Sequence, residues 1–182
     1  MKVRITLLLI VLALLVFSAD ATSAQAQTDS AEIVILEATG PVVPPLRGYI
    51  SRGLEAADTR NAEAVILVLD TPGGSVNVTL EIIQDIRTSD VPVIVYVGPR
   101  GAKAASAGLL ITLAGHAAAM APETAIGASS PVGPQGQDLE STIQEKEKQY
   151  LSAQARSLAE RRGAEAVTSA DEAVTQARAV SA

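Results

Sequence analysis

Two uninterrupted apolar runs, Ala64 to Leu69 (AVILVL) and Val93 to Val97 (VIVYV), constrain the fold of this chain more than any other feature. Each has the length of a strand, and neither alternates with polar residues. Such runs suit strands buried on both faces of a parallel sheet. Ile33 to Leu36 upstream and Ala117 to Ala121 downstream read as two further strands. The segments between them have helical spacing. In Arg47 to Asp58, the residues Tyr49, Ile50, Leu54 and Ala57 fall close to one face. In Ser75 to Arg87, the stripe is Val78, Ile82, Ile83 and Ile86. Gly40-Pro41 and Pro44-Pro45 read as turns. Strands alternating with helices imply an α/β domain, a mostly parallel sheet flanked by helices. Aromatic residues are only 2% of the chain, so the core is built from Ala, Val, Leu and Ile and allows close helix-on-sheet packing.

Ligands of such sheets sit beyond the carboxyl ends of the strands. Two loops of small residues fall at that edge: DTPGG, Asp70 to Gly74, and GPRGAKAASAG, Gly98 to Gly108. In the second, Ser106 stands among Ala104, Ala105, Ala107 and Gly108, which leave its hydroxyl open. The apolar run that follows continues as a helix, Ser106 to Gly115. The free N–H groups at a helix start can receive a developing negative charge. Glycine in the first loop permits a backbone whose N–H faces the same point. Together the two loops point to covalent catalysis by serine.

A serine hydroxyl needs a base. The single histidine, His116, lies at the far end of the predicted helix and is expected to point away and to favour the helix dipole. Three lysines follow the first loop: Lys103, Lys146 and Lys148. Lys103 reads as a solvated loop charge. The longest helix, Leu139 to Arg162, is expected to turn Ile143, Tyr150, Leu151, Ala155 and Leu158 inward. Lys146 and Lys148 then fall on opposite borders of that stripe, and periodicity does not choose between them. Whichever serves must be neutral, a state favoured by burial in apolar surroundings.

Composition removes several other chemistries. Without cysteine there is no thiolate nucleophile, disulfide or cysteine metal site, and one histidine leaves little for zinc. No cofactor is expected. A net charge of −6 argues against nucleic acid as a partner. The N-terminus reads as a signal peptide over residues 1–26. Lys2 and Arg4 precede an apolar run to Phe17, and Ala24-Gln25-Ala26 fits the cleavage pattern. Residues 27–182 are then the exported, extracytoplasmic domain. Pro122 to Gln137 reads as a long loop, and Ala164 to Ala182 has no strong pattern.

The segments VLDTPGGS, VPVIVYVGPRGAKAASAG, MAPETAIGASSPV and RSLAERRG, in this order and spacing, resemble the NfeD-like membrane-bound serine proteases. These are relatives of the ClpP and signal-peptide-peptidase A group. The resemblance implies a ClpP/crotonase fold and a Ser–Lys dyad. The family serine falls on Ser106. The family lysine, ten residues before the basic residue that matches Arg156, falls on Lys146. Oxyanion donors fall on the N–H groups of Gly74 and Ala107, with Gly73 shaping the loop. His116 matches a family histidine with no catalytic part. The resemblance further implies a polypeptide substrate, including a stomatin-like membrane partner, and a homodimer or larger assembly. Family members continue beyond the position of Ala182, so the domain is expected to be incomplete at its C-terminus. Two other readings remain open: a non-catalytic scaffold for the stomatin-like partner, and a crotonase-type acyl-CoA enzyme.

Overall fold

The computed structural model describes residues 31–129 and 140–182. The signal-peptide reading and the second half of the Pro122 to Gln137 loop lie outside the described residues. A four-stranded sheet is ordered β1 (Ile33–Thr39), β2 (Ala64–Asp70), β3 (Val93–Val97) and β5 (Ala117–Met120), and every pair in it is parallel. Helices α1 (Pro44–Thr59), α2 (Val76–Arg87) and α3 (Ala107–Ala114) lie in the intervening chain. The strands are added in sequence order, always on the same side. Right-handed crossovers then place all three helices on one face of the sheet.

Burial follows from that topology. Val65, Leu67 and Leu69 of β2 and Val93, Val95 and Val97 of β3 are fully buried. Their alternates Ile66, Val68, Ile94 and Tyr96 are only half-buried, and Ile33 and Ile35 on the edge strand are exposed. The strands expected to be buried on both faces are thus packed by helices on one face.

A second, smaller sheet is made of three-residue strands: β4 (Lys103–Ala105), β6 (Ala125–Gly127) and β7 (Ala179–Ser181). Sequence patterning does not foresee them, because three residues carry no period. The turn expected at Pro44-Pro45 is instead the first two residues of α1. Proline suits a helix start, where its missing N–H is not needed. In α2, Ser75 is the N-cap; its hydroxyl accepts the Val78 N–H, and its carbonyl accepts the Thr79 hydroxyl.

The C-terminal part is helical: α4 (Ser141–Ala159), a 3-10 turn (Glu160–Arg162) and α5 (Ala164–Thr175). The inward face of α4 differs from the expected stripe. Leu151 and Ala155 are buried, but Ile143 and Tyr150 are 47% and 44% exposed. The buried set is Leu151, Ser152, Ala155 and Ala159. Small residues let α4 approach α5, which buries Ala170, Ala173 and Val174. Ser152 and Arg156 of α4 both donate to the Asp171 carboxylate of α5. Those contacts, the Ser152 hydroxyl foremost, hold the Asp171 carboxyl below the usual carboxylate range against the opposing effect of burial.

A carboxyl depressed in the folded state contributes stability above its unfolded pKa of about 3.9 and loses it as pH falls through the folded value. We expect Asp171→Asn to cost about 1 kcal/mol at pH 7. The difference from wild type should shrink in urea titrations carried below pH 3.9.

Candidate active site

The site forms where β2 and β3 end. Beyond Asp70 the chain turns through Thr71 to Gly74, and the strand that delivers Ser106 hangs on this turn. Thr71 N–H donates to Lys103 carbonyl (2.7 Å), and Ala105 N–H donates to Thr71 carbonyl (3.0 Å). Asp70 Oδ1 accepts the Lys103 N–H at 3.1 Å. The Thr71 hydroxyl oxygen accepts the Gly73 N–H, also at 3.1 Å.

The two glycines are required by space. Gly73 has φ +105°, and a Cβ there would lie 2.7 Å from Ser106 Cβ. A Cβ on Gly74 would lie 2.3 Å from the Val42 carbonyl oxygen. Val42 in turn accepts from Ser75 N–H and donates to Gly73 carbonyl, both at 2.9 Å. The turn is therefore held between Val42 on one side and Ser106 on the other.

Ser106 has φ 52° and ψ −112°, a backbone rarely adopted by a residue with a side chain. Such a residue carries about 1–3 kcal/mol of strain. It is held by its N–H to Gly127 carbonyl (3.2 Å) and by its carbonyl, which accepts the Leu109 N–H (3.0 Å). Ala107 then opens α3. Ser106, Gly74 and Ala107 share one narrow cleft with Thr79, Ser129 and Leu151. Among the described residues, the N–H groups of Gly74 and Ala107 and the Ser106 hydroxyl have no hydrogen-bond partner. The arrangement pairs a half-buried hydroxyl with two free backbone donors, the set needed to hold a tetrahedral oxyanion.

Every residue of α3 is buried, so its last carbonyls cannot reach bulk water. Arg162 reaches them across the fold. Its guanidinium donates to the carbonyls of Thr112 (3.1 Å), Leu113 (3.3 Å) and Gly115 (2.9 Å). Burial lowers the Arg162 pKa, with Arg161 adding to the effect, and a cation at a helix C-terminus is favoured by the dipole.

The predicted residues are placed as follows. Ser106, Gly73, Gly74 and Ala107 come together. His116 does not join them: its Nδ1 accepts the Val93 N–H (3.0 Å) at the start of β3, while Ser106 lies beyond that strand's end. Lys103 is exposed beside the turn. On α4, Lys146 is exposed and Lys148 half-buried, and among the described residues neither lines the cleft, which α4 reaches through Leu151. The buried face therefore runs on the Lys148 side. A different hollow of about 220 Å³ between α1 and α2 is lined by Glu55, Asp58, Asp85 and Asp90. Arg47 already engages Asp85 there. Sequence reasoning did not foresee the parts of Asp70, Thr71, Ser129 and Arg162. The DTPGG string hinted at the first two; Ser129 lines the cleft and Arg162 holds the far end of α3, both through contacts distant in sequence.

The described domain matches the family model "NfeD1b, N-terminal domain" over residues 33–180. Among curated proteins it is similar to the membrane-bound protease PH1510 of Pyrococcus horikoshii. The identity is 43% over 100 residues, which are 55% of this chain and 23% of that protein. It is 32% identical over 111 residues to the membrane protein NfeD1b of Bacillus subtilis, covering 61% of this chain and 25% of that one. The chain thus spans about a quarter of the length of these relatives. Two solved structures of the 1510-N membrane-bound stomatin-specific protease superpose on it. A serine-to-alanine mutant gives a TM-score of 0.75 at 37% identity, covering 82% of this chain and 72% of that one. A lysine-to-alanine mutant in complex with a substrate peptide gives 0.74 at 36%, covering 82% and 68%.

Two substitutions test the geometry. Gly73→Ala forces a Cβ against Ser106 at positive φ and is expected to cost about 1–3 kcal/mol. Arg162→Met keeps the unbranched apolar stem of the side chain but removes the guanidinium and strands three carbonyls, at about 1–3 kcal/mol. Thermal unfolding of both proteins checks these values.

Proposed function

This chain belongs to the family of NfeD1b N-terminal domains, and from that premise we propose that it is an ATP-independent serine endopeptidase with a Ser–Lys dyad. The observation that carries the reading is Ser106 at the start of α3, facing the same cleft as the free N–H groups of Gly74 and Ala107. In this mechanism Ser106 Oγ attacks the peptide carbonyl carbon while its proton passes to neutral Lys146 Nζ. The carbonyl oxygen becomes an oxyanion held by Gly74 and Ala107. When the C–N bond breaks, Lys146 returns the proton to the leaving amine. Water then attacks the acyl carbon, giving a proton to Lys146. Lys146 passes that proton to Ser106 Oγ as the ester bond breaks, which releases the acid product and restores the serine hydroxyl and the neutral lysine.

Lys146 is preferred by the family spacing to the RSLAE segment. In the two solved mutants, the altered serine and lysine are 41 positions apart by their own numbering. Lys146 lies 40 and Lys148 lies 42 positions beyond Ser106, so that separation alone favours neither. The reading requires the first turns of α4 to carry Lys146 toward the cleft when a peptide binds. The substrates proposed are apolar segments of membrane-associated proteins, a stomatin-like protein among them, on the extracytoplasmic side. Support for the partner comes from relatives described as membrane-bound and stomatin-specific. No helix among the described residues is long and apolar enough to cross a membrane. We also propose a homodimer or larger assembly.

The exposure of Lys146 favours a second reading, a non-catalytic scaffold for the same partner. Cleavage of a fluorogenic peptide with an apolar core separates the two. Ser106→Ala and Lys146→Ala should each lower kcat by about 10³-fold or more, and Lys148→Ala by less than about 3-fold. Equal activity of wild type and Ser106→Ala defeats the protease reading. A loss in Lys148→Ala with activity retained in Lys146→Ala moves the base to Lys148.

A further inference from the structure

Thr71 is fully buried, although threonine is ordinarily a surface residue. Four of its groups are engaged at the site, with three segments in all. Its N–H and carbonyl pair with Lys103 and Ala105, the strand that leads into Ser106. Its hydroxyl oxygen accepts the Gly73 N–H. Its methyl group lies 2.7 Å from where a Cβ on Gly108 would stand, so it packs on the backbone of the first turn of α3.

These contacts have one geometric consequence. The two free donors, Gly74 N–H and Ala107 N–H, come from separate loops, which are joined by the hydrogen bonds of Asp70 and Thr71 to the strand before Ser106. Thr71 touches the residue before the first donor and the residue after the second. The hydroxyl engages the Gly73 N–H inside the turn, and the next N–H in the chain, that of Gly74, is the one without a partner among the described residues. The methyl group sets how closely α3 approaches that turn.

We propose that Thr71 is a positioning residue that fixes the separation and direction of the two oxyanion donors. It touches neither the reacting carbonyl nor Ser106 Oγ and acts through Gly73 and Gly108. The proposal rests on the serine protease reading above. Its chemical content is that the hydroxyl, rather than the bulk, is the part that matters for the transition state. The ground-state complex depends less on this alignment, because a planar carbonyl carries little charge.

The test compares Thr71→Val, which keeps the shape and loses the hydroxyl, with Thr71→Ser, which keeps the hydroxyl and loses the methyl. Both are assayed in the full chain against the fluorogenic apolar peptide, with Ser106→Ala in the same series. Thr71→Val should lower kcat about 10–100-fold with KM changed less than about 3-fold, as expected for donors displaced by a fraction of an ångström. Thr71→Ser should keep kcat within about 3-fold of wild type even where its unfolding temperature falls. If Thr71→Val does not fold at the assay temperature, Thr71→Ala, which relieves the mismatched methyl, takes its place with the same expectation. An inactive Ser106→Ala beside a Thr71→Val of wild-type kcat overturns this inference and leaves the protease reading standing. Equal losses in the valine and serine variants overturn it too, since the hydroxyl would then carry no more of the effect than the methyl group. An active Ser106→Ala removes the protease reading itself.

Discussion

The structure depends on the close approach of the Gly73-Gly74 turn to the loop that carries Ser106. Neither glycine has room for a side chain: one faces Ser106, the other the Val42 backbone. That approach joins the ends of β2 and β3 into one cleft, and it also holds Ser106 at positive φ. Strain of this kind persists only where the surroundings over-determine it. Here the surroundings are the Gly127 carbonyl, the buried helix α3 and the Thr71 turn. Arg162 holds the far end of α3 through three carbonyls, so the helix is fixed at both ends.

Much of the fold was legible because its signals are long and local. The runs Ala64 to Leu69 and Val93 to Val97 became β2 and β3, and the stripe Val78, Ile82, Ile83 and Ile86 is the buried face of α2. The burial of both sheet faces did not follow, because the strand order 1-2-3-5 sends every helix to one face. The three-residue strands β4, β6 and β7 escaped notice for a different reason. They exist through pairing between distant segments, such as Ala125 with Ser181, and local pattern contains no trace of it.

The site was legible in part. Ser106, Gly73, Gly74 and Ala107 are small residues in two short strings, and their convergence followed from the strand ends alone. The base was not legible in the same way. The stripe expected on α4 included Ile143 and Tyr150, the largest apolar side chains of its first half, yet they face solvent. The inward face is made of small residues because α5 packs there. Periodicity weighted by hydrophobicity misjudges such a helix, and with it the directions of Lys146 and Lys148. Thr71 and Arg162 were invisible as individuals, since their importance lies in which backbone groups they meet.

The central claim is that Ser106 is a nucleophile activated within a backbone-lined cleft. The most direct measurement is intact-mass and peptide-map analysis after exposure to a fluorophosphonate, which bonds to an activated serine and leaves a tetrahedral phosphorus resembling the intermediate. The account predicts a single adduct, located on Ser106 and absent from the Ser106→Ala protein. A well-folded chain that gains no adduct, or carries it on Ser129 or another serine, contradicts it.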